Sequence, residues 1–150
     1  MGIQGKQVIL RAIEQSDLSV LQAWSNNPDV QHNLGGWHFP SSLTVMDNWF
    51  QSLHHDELNK RFAIDTKDNK IIGTTNLVSI NWKDRNAFTG LLIGQKTNRG
   101  KGYGTDAVMT MMRYAFEELG LERLDTSIIE HNEASLKLYI GSCGWKEEGR

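Results

Sequence analysis

The chain has 150 residues, enough for one domain with a core of its own and too few for two domains that could each stabilise themselves. Its hydrophobic content of 39% and charged content of 23% are those of an ordinary globular protein. The formal net charge of -2 excludes the broad basic field that a general nucleic-acid or anionic-membrane binder needs.

The opening MGIQGKQVIL lacks the apolar core of a signal peptide, and Lys6 stands where a myristoylation pattern after Gly2 requires Ser or Thr. Gln7–Ile13 (QVILRAI) has the composition of a first strand. A first helix follows, with Ser16 as cap, Leu18, Leu21, Ala23 and Trp24 at helical spacing, and a stop at Asn27-Pro28. A second helix repeats the formula in PSSLTVMDNWFQSLHHD, where Leu43, Met46, Trp49, Phe50 and Leu53 follow a serine cap. His54 and His55 are adjacent rather than one helical turn apart, and Cys143 has no second cysteine, so no metal-ligand spacing arises. The lone cysteine suits a reducing cytoplasm. No stretch approaches the roughly 20 apolar residues of a membrane span.

From Arg61 to Gly94 the period changes. Three extended runs are separated by polar turns at Lys67–Lys70 and Lys83–Asn86, short connections that join antiparallel neighbours. A glycine-rich loop then runs into a long helix whose stripe is Tyr103, Ala107, Val108, Met111, Met112, Ala115, Phe116 and Leu119, ended by Gly120. Arg123–Ile129 is expected to be a strand, NEASLKLYIGSC a short helix and GWKEEGR the start of a last strand. A right-handed crossover between Ala87 and Ile129 would make its two strands parallel. These elements predict one α/β (α+β) domain over residues 1–150, a mixed and mostly antiparallel sheet with helices on both faces.

The loop Arg99-Gly100-Lys101-Gly102-Tyr103-Gly104 carries the chemistry. Backbone N–H groups of a glycine-rich turn at a helix N-terminus form an anion site, and glycine permits positive φ and close approach. Arg99 and Lys101 add cationic side chains, so the expected ligand is a phosphate or pyrophosphate. Lys101 is followed by Gly102 and not Ser or Thr, which excludes a Walker A loop. Gly102-Tyr103-Gly104 is one residue too tight for a dinucleotide fingerprint.

The same loop resembles the Gln/Arg-x-x-Gly-x-Gly/Ala signature of the GNAT superfamily of N-acetyltransferases. A second segment, HNEASLKLYIGSCGW, is similar to that superfamily's Asn-x-x-Ala/Ser-x-x-x-Tyr-x-x-x-Gly-Phe pattern, with Asn132, Ser135, Tyr139 and Gly144 matching and Trp145 replacing the usual phenylalanine. LRAIEQSDL, the Asn-Pro-Asp-Val turn and IIGTTNL resemble the ribosomal-protein N-acetyltransferase branch. The resemblance implies a cytoplasmic enzyme that transfers acetyl from acetyl-CoA, its co-substrate, directly to a primary amine without metal, nucleic acid or membrane. It implies that Arg99, Gly100, Lys101, Gly102, Tyr103, Gly104 and Thr105 hold the pyrophosphate. It further implies that Leu91, Leu92 and Ile93 pair with the pantetheine arm, that Asn132 and Ser135 lie beside it, and that Tyr139 is the general acid. Asn132 also suits a helix cap, Leu91–Ile93 a buried strand, and Tyr139 a core position against Leu136 and Ile140. Cys143 suits a buried filler better than a nucleophile.

Two departures stand out. Phe88 occupies the position where many relatives carry a glutamate base, which leaves water or one of His32, His38 and His131 for that duty. Phe88, Trp82 and Trp37 are alternatively an apolar wall for the acceptor. The chain also stops at Arg150 where the family adds another strand; the expectation is a truncated domain whose Arg123–Ile129 edge is open to pairing, including with a second copy in a homodimer. An acyl-CoA-binding regulatory module without turnover stands as the rival reading.

Overall fold

The computed structural model describes residues 2–34 and 39–150. Six strands form one sheet in chain order: β1 (Ile3–Gln4), β2 (Val8–Ala12), β3 (Lys60–Thr66), β4 (Ile71–Asn81), β5 (Asn86–Ile93) and β6 (Arg123–Asp125). Every neighbouring pair is antiparallel except β5 and β6, which run parallel as the crossover requires. Helices α1 (Leu18–Ser25), α2 (Pro28–Gln31) and α3 (Leu43–Ser52) lie between β2 and β3 in the chain, α4 (Tyr103–Arg113) between β5 and β6, and α5 (Glu133–Leu136) after β6.

Alternation along the strands divides the core. On one face Leu10, Ile64 and Leu77 pack with Met111 of α4, all almost fully buried. On the other, Ala63 meets Leu21 and Trp24 of α1 and Met46 and Phe50 of α3. Leu91 and Ile93 pack toward the α4 side and Leu92 toward the α1–α3 side, as period two demands. Arg11 ties α1's entry to the sheet, with Nε donating to Asp65 at 2.6 Å and the guanidinium to both oxygens of Asp17 at 2.8 and 3.0 Å. Among the described residues, no helix is long and apolar enough to cross a membrane.

The turns and caps explain the boundaries. Ser42 Oγ accepts from Val45 N at 3.2 Å and starts α3. Gly102 begins α4 in the left-handed region at φ 85°, and Gly120 at φ 70° follows the π-helical turns Tyr114–Glu118 that continue it. The expected stop at Asn27-Pro28 is also a start: α1 ends at Ser25, then Asn27 accepts from Asp29 N at 2.9 Å and Pro28 opens α2, because proline at the first helical position loses no needed donor. The expected strand Arg123–Ile129 ends at Asp125, because the chain then turns away from β5 and loses its ladder partner. Residues 145–150 form no strand. This run meets the rest of the fold through the Trp145 indole, which donates to Met112 Sδ at 3.2 Å, and through exposed ion pairs of Glu148 with Arg123 and Arg150 with Glu130.

Candidate active site

The early departure of β6 creates a fork. β5 and β6 pair over Asn86–Phe88 and Arg123–Asp125, and Thr126 Oγ1 makes one more bond, donating to Thr89 O at 2.7 Å. Beyond it, the Gly90–Ile93 edge of β5 has no ladder partner on that side among the described residues. Main-chain groups on that side are available to an extended ligand arm, save the Ile93 carbonyl, which accepts from the Arg99 guanidinium at 3.4 Å.

A cavity of about 340 Å³ occupies the fork. Leu91, Leu92 and Ile93 supply one wall, and Asn132 and Ser135 the facing one. Arg99, Gly100, Gly102, Gly104 and Thr105 close the end at the N-terminus of α4. Gly100 and Gly102 hold φ of 74° and 85°, left-handed conformations that glycine takes without strain. A methyl group at Gly104 would lie 2.8 Å from Leu138 Cδ1, so the Leu138 side chain packs into the space that the glycine leaves. Positive-φ glycines, a helix N-terminus and an open strand edge in one cavity fit a pyrophosphate joined to an amide-bearing arm.

Not every expected residue lines this cavity. Lys101 is exposed on the loop, and Tyr103 packs against the α4 core. Tyr139 is 4% exposed and borders a separate groove of about 840 Å³ beside β6, packed among Val108, Cys143 and Trp145. Its hydroxyl meets Thr126 at the fork. Burial pushes its phenol up to about 12, the Cys143 thiol adding to the rise and the Thr126 contact opposing it. Burial also raises the Cys143 thiol, leaving it inert and a filler.

Asn132 is a cap in this fold, since its Oδ1 accepts from Ser135 N at 3.1 Å. Its Nδ2 donates to Asn33 O at 3.3 Å, and His131 Nε2 donates to His32 O at 3.2 Å with the two imidazoles 4.7 Å apart. The turn after α2 is thus clasped over the cavity, where Val30, Asn33 and Leu34 complete its lining. Phe88 is 49% exposed and Trp82 46%, with the indole N–H donating to Glu57 O at 3.2 Å. Trp37 and His38 lie outside the described residues.

Sequence reasoning missed Asp106. From the first turn of α4 its carboxylate accepts from the amides of Lys6, Gln7 and Val8 at 3.1, 2.7 and 3.0 Å, fastening the glycine loop to β2. Its partners are about a hundred residues away in sequence, so only an acidic residue in a first helical turn was there to notice.

Comparison with known proteins places this geometry. The acetyltransferase (GNAT) domain family matches residues 7–144. The spermidine N(1)-acetyltransferase of Vibrio cholerae is 27% identical over 146 residues, covering 95% of this chain and 81% of that protein. An uncharacterized prophage-derived N-acetyltransferase of Bacillus subtilis is 28% identical over 147 residues, covering 97% and 80%. The crystal structure of the Vibrio cholerae spermidine enzyme in complex with CoA and spermine superposes with a TM-score of 0.87 at 26% identity, covering 95% of this chain and 83% of that one. With its fork, its glycine loop and a family match across nearly its whole length, the chain belongs to the GNAT acetyltransferases, enzymes that use acetyl-CoA.

Proposed function

We propose that the protein transfers the acetyl group of acetyl-CoA to a primary amine by direct attack, with the cofactor arm laid along β5. The carrying observation is the end of β5, unpartnered on that side among the described residues, whose Leu91–Ile93 line the cavity that the glycine loop closes. Amides of Gly100 to Thr105 would receive the pyrophosphate, with Arg99 adjacent, and main-chain groups of Leu91–Ile93 the pantetheine amides. A β5 amide would also steady the developing oxyanion. The amine nitrogen forms a bond to the thioester carbon, the carbon–sulfur bond breaks, and the thiolate takes a proton. Tyr139 reaches the fork through Thr126 and, with its phenol held protonated, is the proposed donor. The amine's surplus proton passes to water, because Phe88 cannot accept it.

Relatives named for spermidine support a small amine as acceptor. The LRAIEQSDL and Asn-Pro-Asp-Val segments favour the ribosomal-protein branch, whose acceptor is a protein N-terminus. A dodecameric neighbour supports self-association. The lone cysteine supports a cytoplasmic setting. Phe88 favours one competing reading, an acyl-CoA-binding module without turnover. Thiol release from acetyl-CoA, followed over a panel of spermidine, monoamines and an N-terminal peptide, separates them. Release above the amine-free rate with any acceptor supports transfer, and none with all of them, together with tight CoA binding, supports the module.

A further inference from the structure

The β4–β5 ladder lacks one side chain beside the open edge. Asn76 pairs with Gly90, and Phe88 and Leu92 stand two residues to either side of Gly90 on the same face. A methyl group at Gly90 would sit 3.5 Å from Asn76 Nδ2 and 3.6 Å from Oδ1, which is ordinary contact. Gly90 is not among the glycines with positive φ. Neither backbone conformation nor crowding therefore calls for glycine, and a strand interior is weakened by it. What the glycine leaves is a notch in the sheet face. Asn76 is its floor, and Asn76 Oδ1 is buried with no hydrogen-bond partner among the described residues, a state that native structures rarely tolerate without a reason. Phe88, half exposed, is one wall.

Resting on the acetyltransferase reading, we propose that this notch seats the amino group of the acceptor. A small rotation of the Asn76 amide, which lies with both ends nearly equidistant from the notch, lets Oδ1 accept an N–H of the incoming amine. The stem then lies along Phe88, and the nitrogen lone pair faces the neighbouring Leu91–Ile93 edge. Charge on this face selects the stem. Arg61 pairs with Asn76 across the β3–β4 ladder and brings a cation to the same side. Asp125, opposite Phe88 on β6, is occupied by Arg123 at 2.8 Å. The notch has a neutral floor, an aromatic wall and a cation at its border, so it takes a primary monoamine on an apolar stem in preference to a polyamine.

Calorimetry on the CoA-saturated protein tests this with 2-phenylethylamine and spermidine as probes. The monoamine should bind the wild type at least about tenfold more tightly than spermidine, and Gly90→Ala should weaken it by about tenfold or more, the scale of one methyl group in a fitted pocket. CoA affinity should be unchanged in Gly90→Ala, and the melting temperature unchanged or slightly raised, since alanine suits a strand interior better than glycine. Asn76→Leu, which keeps the branched shape and removes the acceptor oxygen, should weaken the monoamine similarly. The proposal is overturned if the monoamine does not bind, binds both variants as it binds wild type, or binds more weakly than spermidine. Thiol release from acetyl-CoA is measured separately: the expected binding pattern without release refutes acetyl transfer and leaves the notch intact.

Discussion

In the proposed reaction Tyr139 and Phe88 divide the proton chemistry between them. Burial of the Tyr139 phenol disfavours its charged form, so the hydroxyl keeps its proton to about 12 and is available as a donor at every pH the enzyme would meet. Tyr139→Phe should lower kcat by about 10²- to 10⁴-fold while leaving CoA affinity within roughly twofold, the pattern of a group acting on charge that develops during reaction. An unchanged kcat when chemistry limits would make Tyr139 a packing residue. Phe88 has the opposite consequence. Without a carboxylate base, kcat/KM should climb about tenfold per pH unit toward the amine's own pKa, near 10 for an alkylamine, with no alkaline fall from Tyr139 in that range. A plateau near neutrality would reveal a base among other groups. Gly102, at φ 85°, belongs to the same scale. Gly102→Val must either hold a strained conformation costing about 1–3 kcal/mol or rearrange the loop, which corresponds to roughly 5- to 150-fold in CoA affinity by calorimetry. Unchanged affinity would remove the loop from the binding site.

The fork and its fastening are properties of elements. Asp106 holds the start of β2 against the start of α4 through three charge-assisted bonds. Asp106→Ala should cost about 2 kcal/mol, since bonds to charged groups are the stronger kind and the Val8 amide is left without its partner. At about 2–4 °C per kcal/mol for a chain of this size, that is a fall of roughly 4–8 °C in Tm, with Asp106→Asn intermediate. A melt unchanged in both would show the contact to be incidental. Nothing in the sequence near Asp106 announces this, because helix patterning is local and its partners are not. The strands of the middle segment were legible for the converse reason: their polar turns at Lys67–Lys70 and Lys83–Asn86 and their apolar composition are contained within each hairpin. The length of β6 was not, since β-branched residues at Thr126, Ile128 and Ile129 favour extension while the fork withdraws the partner strand. The same limit applies to Tyr139, whose spacing from Asn132 matched a motif but whose setting depends on how the segment after α5 packs on Val108 and Met112 of α4.

At the scale of the molecule, one sheet separates two packed layers, and the cavity sits where the sheet opens. A ligand bridging β5, the glycine loop and α5 binds the folded state alone and should raise its stability. CoA at a hundred times its Kd adds about 2.7 kcal/mol, a rise of roughly 5–11 °C in Tm, and Gly102→Val should flatten that response at equal CoA concentration. An equal rise in both would place CoA elsewhere. The family resemblance carried the function because two motifs, one on each side of the cavity, stood at the expected interval. The acceptor end was not legible, because the Asn76–Gly90 pair belongs to no motif and takes its meaning from strand register.

The Asp106 fastening has a consequence at the far end of the chain. The amides of Lys6, Gln7 and Val8 break their bonds to Asp106 only when the first turn of α4 lets go, so their exchange with deuterium clocks the opening of a loop about a hundred residues downstream. Adding CoA should slow exchange at those three amides even though they touch no part of the proposed cofactor path. Mass-spectrometric exchange of the N-terminal peptide, with and without CoA, measures it, and equal uptake curves would mean that the strand and the loop move independently. An isotope clock of that kind would report cofactor occupancy before any acceptor is known.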